Sequence, residues 1–416
     1  MSKTKPFLIP KKLVMEAYQR IKANKGAAGV DQQSLEYFDV NLKDNLYKIW
    51  NRMSSGSYFS PPVKAVPIPK KSGGERILGV PTVADRIAQM VVKLTFEPLV
   101  EPHFLEDSYG YRPNKSALDA VGVTRQRCWR YDYVVEFDIK GLFDNVDHDL
   151  LLKVVRKHTD NKWVILYIER WLKAPLQMPD GTLVERTKGL SQGGVVSPVL
   201  SNLFLHYVFD MWMVKNHPGK PWCRYADDGL VHCRSEREAQ VTLADLKHRF
   251  EMCKLELHSD KTKIVYCKDG KRKRSYPITK FTFLGYDFRQ RSTFKMETKE
   301  VFQSFNPAVS KTAEKSMRAH IRTLGIRHKT RHSLKEIADI LNPILRGWIE
   351  YYGCYNRSEL GSVMVYVNKT LTAWAMRKYK KLEGHKTKAG LFILRVQKEN
   401  RGLFSHWKIG LGNGFA

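Results

Sequence analysis

Asp227 and Asp228 stand side by side in the run Tyr225-Ala226-Asp227-Asp228, between two short apolar stretches, Trp222-Cys223-Arg224-Tyr225 and Leu230-Val231-His232-Cys233. Two adjacent carboxylates at a hairpin tip are groups that can hold divalent cations. Both flanks read as strands, and Asp228-Gly229 is a turn dipeptide that would bend the chain between them. Neighbouring side chains of an extended strand point to opposite faces, so only a turn lets both aspartates lie near one site. Taken alone, an Asp-Asp-Gly run is an ordinary hairpin turn. A third acid upstream gives it more weight.

That acid is Asp138, at the end of the β-branched and aromatic run Val134-Val135-Glu136-Phe137-Asp138-Ile139, which breaks at Gly141. A carboxylate inside an apolar strand is expensive to bury without a cation. Asp144 and Asp147 are read differently: the helical pattern that begins at His148 makes both of them helix caps. Two strands bearing Asp138 and Asp227 side by side would hold two divalent ions roughly 3.5–4 Å apart, the arrangement for in-line attack of a hydroxyl on phosphorus. Hard oxygen ligands fit Mg²⁺ and not zinc.

The elements around these acids carry further motifs. In chain order they are Lys25-Gly26-Ala27-Ala28-Gly29-Val30-Asp31, Pro67-Ile68-Pro69-Lys70-Lys71-Ser72-Gly73-Gly74-Glu75-Arg76, Leu78-Gly79-Val80-Pro81-Thr82-Val83-Ala84-Asp85-Arg86 and Ser108-Tyr109-Gly110-Tyr111-Arg112-Pro113. The strand ending at Asp138 follows, then Ser191-Gln192-Gly193-Gly194-Val195-Val196-Ser197-Pro198, the Asp227-Asp228 run, Asp260-Lys261-Thr262 and Phe283-Leu284-Gly285-Tyr286. Each is weak singly; in this order they closely resemble the reverse transcriptases encoded by bacterial group II introns, also called maturases, over nearly the whole chain.

The resemblance implies an α+β right-hand polymerase, fingers and palm with an antiparallel palm sheet, followed by an all-α thumb or maturase domain. It divides the chain into an N-terminal extension (1–35), fingers and palm (36–295), a helical thumb (296–382) and a basic tail (383–416). Asp138, Asp227 and the backbone carbonyl of Ile139 would hold two Mg²⁺ ions, with Asp228 a supporting acid. Lys70 and Arg76, on opposite sides of a Ser-Gly-Gly turn, would meet over the incoming triphosphate, where the planar fork of arginine binds phosphate oxygens in pairs. Phe143, five positions after Asp138, would lie under the sugar, exclude a 2′-hydroxyl and select deoxynucleotides. Gln192, beside glycines that let backbone approach the substrate, would line the nucleotide pocket; Leu190-Ser191 replaces the Thr-Pro that many members carry there. Lys261 would donate a proton to the leaving pyrophosphate. The plainer readings are a solvated hairpin tip for Lys70 and Arg76, a core ring for Phe143 and a surface charge for Lys261.

Composition agrees with a polyanionic partner: 71 Lys and Arg against 42 Asp and Glu give a net charge of +29. With 43% hydrophobic residues, this is a folding chain and not a disordered basic tail. No apolar run suggests a membrane span or secretion signal, and six cysteines without a Cys-x-x-Cys spacing fit a reduced cytoplasm and no structural zinc. Cys223 and Cys233 flank the acid pair and would face each other across strands as small buried hydrophobes.

From about residue 296 the pattern turns helical and basic. Asn306-Pro307 reads as a cap and first-turn pair. The helix after it would place Lys311, Lys315, Arg318 and Arg322 on one face and Ala313, Met317, Ile321 and Leu324 on the other. A second helix opens with the capping box Ser333-Leu334-Lys335-Glu336 and keeps its apolar period through Pro343, which should kink it. Leu345-Arg346-Gly347-Trp348 on it resembles the thumb that grips the template–primer duplex and intron RNA. A third helix spans about Ser358 to Lys381. In the tail, Lys386, Lys388, Lys398 and Arg401 mix with Phe392, Phe404 and Trp407, a nucleic-acid-binding composition. Cys354 is the only cysteine after Cys267, so the cysteine-stabilised His-Asn-His endonuclease domain of many intron enzymes is expected to be absent.

The implied function is RNA-directed DNA polymerisation on an RNA template from a DNA primer, with intron RNA bound for splicing and retrohoming. A non-mobile reverse transcriptase serving its host would share every palm motif. A splicing factor without polymerisation should show damage at Asp138, Asp227 or Asp228, and all three are present. Phe143, and Ala226 where a viral-type RNA polymerase carries Gly, disfavour synthesis of RNA.

Overall fold

The computed structural model describes residues 5–69, 73–295 and 299–412. The chain forms two compact units, one from residues 1–116, 135–231 and 237–263, the other from 117–134, 232–236 and 264–416.

In the first unit, Val14, Ala17, Tyr18 and Ile21 recur at helical spacing, and the helix Lys11–Asn24 buries that stripe against the helix Val83–Val100. The latter is capped by Thr82, whose hydroxyl accepts from the Asp85 amide, and its apolar residues face inward nearly all round, as a core helix requires. Strands β1 (Val63–Pro69) and β2 (Glu75–Val80) pair antiparallel, with Pro69 opposite Glu75. Strand β3 (Tyr133–Asp138) follows, then the short β4 (Leu176–Gln177) and β5 (Leu183–Val184), then β6 (Trp222–Tyr225), β7 (Asp228–Cys233) and β8 (Lys263–Tyr266). They make two four-stranded sheets, ordered β2-β1-β4-β5 and β6-β7-β3-β8. In the second of these, β3 and β7 are central and almost wholly buried, which is why their sequences are mostly apolar. Phe137 packs against Phe209 and Phe250 at ring separations of 5.0 and 5.7 Å, fixing the strand that ends in Asp138.

In the second unit, β9 (Lys280–Phe283), β10 (Tyr286–Lys295) and β11 (Glu300–Val309) form a meander ordered β11-β10-β9. The expected helix start at Asn306-Pro307 is corrected here, because both residues lie in β11, Pro307 opposite Phe288. Proline is tolerated there because β11 is the edge of its sheet. The helix begins at Lys311, and the residue that caps it is Ser310, whose Oγ accepts from the Ala313 amide at 3.1 Å. The helix Leu334–Asn356 carries the expected capping box, with Ser333 and Glu336 each bonding the other's backbone, and runs on through Pro343. The helices Gly361–Lys378 and Lys386–Glu399 complete a bundle around Leu341, Leu345, Val367, Leu371 and Trp374. Phe404 and Trp407 are fully buried in that core. Both rings of this region therefore serve the bundle core.

Candidate active site

Pairing of Tyr225 with Asp228 leaves Ala226 and Asp227 as the two turn residues between β6 and β7. The turn thus sits two residues earlier than the Asp228-Gly229 dipeptide suggests. Ala226 takes a φ of 56°, a left-handed value that glycine ordinarily fills at this position of a tight hairpin. Gly229 is a strand residue opposite Arg224, and a Cβ on it would lie 2.0 Å from the Phe137 ring. Its lack of a side chain serves close packing and not the turn. Cys223 pairs with Leu230 and not with Cys233, although both cysteines are buried.

Asp138 is almost fully buried at the end of β3. Just beyond it Ile139 forms an antiparallel bridge with Leu257, flanked by bonds from the His258 amide to the Asp138 carbonyl (2.8 Å) and from the Lys140 amide to the Glu256 carbonyl (2.8 Å). Neither bond uses the Ile139 carbonyl. The Lys261 ammonium lies 2.9 Å from Asp138 Oδ2, so the structure brings together Asp138, Asp227, Asp228 and Lys261.

Their electrostatics describe a site short of positive charge. Burial, with the Asp227 and Asp138 charges and a hydrogen bond to Asp138, pushes Asp228 up to about 8. Asp227 is raised by burial and by Asp138, against relief from its own backbone amide, Lys261 and Arg76. Lys261 is raised by its bond to Asp138, so it is a cation held by the acids and not an acid tuned towards neutrality. Among the described residues no three acidic, histidine or cysteine side chains close a metal cage by themselves. Mg²⁺ does not require one, because it binds through one or two carboxylates and completes its shell with water and substrate phosphates. Buried carboxylates that repel one another supply the hard oxygen donors that fit that ion.

A cavity of about 350 Å³ is lined by Arg76, whose charge reaches Asp227, and by Phe143, Asp144, Arg186, Lys188 and Gln192, among others. Three of the residues read as nucleotide-binding therefore line one cavity; the fourth, Lys70, falls outside the described residues. The cavity is assembled by a bond from the Gly79 amide of β2 to the Gln192 carbonyl (2.7 Å). Asp147 caps its helix as expected, accepting from the Leu150 amide at 2.9 Å. Asp144 does not; it belongs to the short helix Leu142–Asn145 and accepts from Gln192 Nε2 at 3.2 Å. Asp144 was read from sequence only as a helix cap, and Arg186 and Lys188 were not singled out, their sign near Gln192 being the only hint.

In the second unit, Lys311, Lys315, Arg322 and Arg346 are exposed, while Arg318 is half-buried. Met317 and Ile321 are buried, as the helical spacing required. The stripe is not wholly cationic in effect, because the buried Glu314 pairs with both Lys311 and Arg318 at 3.3 and 3.2 Å. Among the described residues no helix is long and apolar enough to cross a membrane.

The model of the reverse transcriptase (RNA-dependent DNA polymerase) family matches residues 68–288, and that of the group II intron maturase-specific domain matches residues 314–390. Protein YkfC of Escherichia coli (strain K12) is 31% identical over 325 residues, which cover 67% of this chain and 81% of that protein. The group II intron-encoded protein LtrA of Lactococcus lactis subsp. cremoris is 31% identical over 203 residues, 48% of this chain and 33% of that protein. The putative COX1/OXI3 intron 1 protein of Saccharomyces cerevisiae is 27% identical over 251 residues, 60% of this chain and 29% of that protein. The match thus spans about a third of the length of these two intron proteins.

Proposed function

This chain belongs to the reverse transcriptase family of RNA-dependent DNA polymerases and carries the group II intron maturase-specific domain, and from that premise we propose how its residues divide the work. Asp138 and Asp227, with the Ile139 carbonyl, hold two Mg²⁺ ions, and Asp228 supports them. When bound, the ions supply the charge that activates a primer 3′-hydroxyl and neutralises the departing pyrophosphate. The observation that carries this reading is the gathering of Asp138, Asp227 and Asp228 at one buried place, where burial first and the neighbouring carboxylates second raise Asp227 and Asp228 and make the site a receptor for cations.

The other residues bind and orient. Arg76, with Lys70, receives the triphosphate of an incoming deoxynucleotide. Phe143 closes the sugar side of the cavity against a 2′-hydroxyl, and Gln192 lines it from the opposite loop. Lys261 holds Asp138 between turnovers and is the group that would donate a proton to pyrophosphate. Lys311, Lys315, Arg318, Arg322 and Arg346 offer phosphate contacts to the template–primer duplex and to an intron RNA, whose splicing and retrohoming the chain would serve.

Primer extension on an RNA template with Mg²⁺ tests the reading. Wild type should extend with deoxynucleotides and not with ribonucleotides, and Asp227→Ala should abolish extension. A folded wild-type protein that extends no primer would remove the polymerase assignment and leave intron RNA binding as the activity to measure.

A further inference from the structure

The turn that presents the acids rests on a buried arginine. Arg224 and Asp210 are both fully buried, and the guanidinium meets Asp210 with Nε to Oδ1 at 2.8 Å and Nη2 to Oδ2 at 2.6 Å. Its remaining donors go from Nη2 to Ser108 Oγ (2.8 Å) and from Nη1 to Asn202 Oδ1 (3.1 Å) and the Ala226 carbonyl (3.2 Å). Five donors thus meet five acceptors, the full capacity of the group. The last bond matters most, because Ala226 is the turn residue with the left-handed φ and directly precedes Asp227.

The surroundings are built to the same end. Asp210 ends a π-helical turn, His206–Asp210, an irregularity of the kind that often re-aims a side chain at a functional site. Asn202 Nδ2 donates to the Gly110 carbonyl at 2.6 Å. The Tyr109 amide donates to the Arg224 carbonyl at 2.8 Å, and the Arg224 amide donates to the Asp107 carbonyl at 2.9 Å. These bonds press the 107–110 segment so close to the turn that a Cβ on Gly110 would lie 2.5 Å from the Ala226 nitrogen. An ion pair kept only for stability would have no need to reach the backbone of a strained turn.

We propose that Arg224 is a positioning residue: clasped by Asp210, Asn202 and Ser108, it fixes the Ala226 carbonyl and so holds Asp227 and Asp228 in the geometry that receives the metal ions. The proposal rests on the reading of those acids as metal ligands. It assigns Asp210, Asn202 and Ser108 to the support of the site.

Removing one partner alone would strand a buried charge, so the test removes both, with Arg224→Met and Asp210→Leu in the full chain. Extension of a DNA primer on RNA is followed against Mg²⁺ concentration at saturating deoxynucleotide, beside wild type and Asp227→Ala. The paired variant should stay folded by circular dichroism and need about 10–100-fold more Mg²⁺, both for extension and for the rise in thermal midpoint that Mg²⁺ brings without substrate, the usual consequence of removing a group that orients a metal ligand. Its KM for deoxynucleotide should not change. Adding Ala226→Gly, which accepts the left-handed φ without the clasp, should return most of the Mg²⁺ affinity, a rescue that a purely structural ion pair would not allow. If the paired variant does not fold, Arg224→Lys, which keeps the charge and loses the fork that reaches Ala226, takes its place with the same expectation. A folded variant with wild-type Mg²⁺ dependence, or a loss that Ala226→Gly leaves untouched, overturns the proposal. A wild type that extends nothing removes the metal reading and the proposal with it, and so is told apart from failure of the clasp alone.

Discussion

Two hairpins of this molecule turn in two residues, and each places an ordinary side chain where glycine or asparagine is expected. Between β6 and β7 it is Ala226, with φ 56°; between β9 and β10 it is Leu284, with φ 51°, followed by Gly285 at 81°. The first is held by charge, through Arg224 and its acceptors. The second is held by aromatic rings: Tyr351 donates its hydroxyl to the Leu284 carbonyl at 2.8 Å, and Tyr286 packs against Tyr351, Tyr352 and Tyr355 at 5.6–5.8 Å while bonding the Tyr351 carbonyl. The difference follows from what each turn carries. A turn that carries adjacent buried carboxylates must be held in place by its backbone, and a fixed guanidinium that bonds the Ala226 carbonyl does this in a buried site. A turn that presents backbone and an apolar side chain needs only shape, which packed rings supply.

The largest way to break the first turn is Gly229→Ala. The added methyl would meet Phe137, itself wedged against Phe209 and Phe250. Overpacking of this kind costs about 1–3 kcal/mol, and displacing β7 next to Asp228 should lower extension by about 100-fold. Adding Phe137→Leu should recover much of both losses. Chemical unfolding and primer extension on the single and double variants measure this, and equal activity of Gly229→Ala and wild type would show that β7 tolerates displacement.

The next effect belongs to the acids. An unfolded aspartate titrates near ~3.9, whereas Asp228 in the fold is pushed up to about 8. Between those values the folded chain holds the extra proton, so metal-free stability is full below the lower value and falls as pH rises through the upper one. Mg²⁺ requires the deprotonated form, so its stabilising increment grows over the same window. Thermal midpoints with and without Mg²⁺, taken at intervals across that window, should diverge as pH rises, and Asp228→Asn should flatten both trends. An increment that stays constant with pH in the wild type contradicts the assignment.

How far the sequence disclosed this arrangement depended on which interactions are local. Asp138 was legible because a charge inside an apolar strand must find a partner. Arg224 gave the same signal inside Trp222-Cys223-Arg224-Tyr225, but its partner Asp210 ends a π-helical turn, and no 3.6-residue period points to it. The helices of the later region were legible from hydrophobic period, and the α+β layout from the family resemblance that the motif order carries. The exact turn was not, because the preference of Asp-Gly for turns yields here to the close packing of Gly229 on Phe137. Nor was β11, since Asn306-Pro307 suits a helix start and an edge strand equally well until pairing decides. The ion pair of Lys261 with Asp138 joins residues 123 positions apart, beyond the reach of any local pattern.

The second turn should break more gently. Tyr351→Phe removes one hydroxyl from the Leu284 carbonyl and leaves the rings in place, so stability should fall by only about 1 kcal/mol. If the turn serves the primer, the same variant should raise the KM for template–primer while the deoxynucleotide KM stays unchanged. A change confined to the deoxynucleotide would mean that this turn serves the nucleotide pocket instead.

The smallest effect is also the one that separates strain from function. Leu284→Asn gives the turn an Asn-Gly pair, the sequence that two consecutive left-handed residues favour. A leucine in that conformation costs roughly 1–2 kcal/mol, but Leu284 is half-buried and its apolar contacts offset part of this. The net gain in urea unfolding should therefore be about 0.5 kcal/mol, since the half-buried side chain gives up part of its transfer free energy. Tyr351 still bonds the same carbonyl, so the turn should keep its shape. A stabilised variant that extends primers as well as wild type would show that the leucine is incidental and the tyrosines do the holding. A stabilised variant that extends poorly would show the reverse: the side chain is kept, against its backbone cost, for a contact with the nucleic acid, and the second turn is then as functional as the first although it carries no charge.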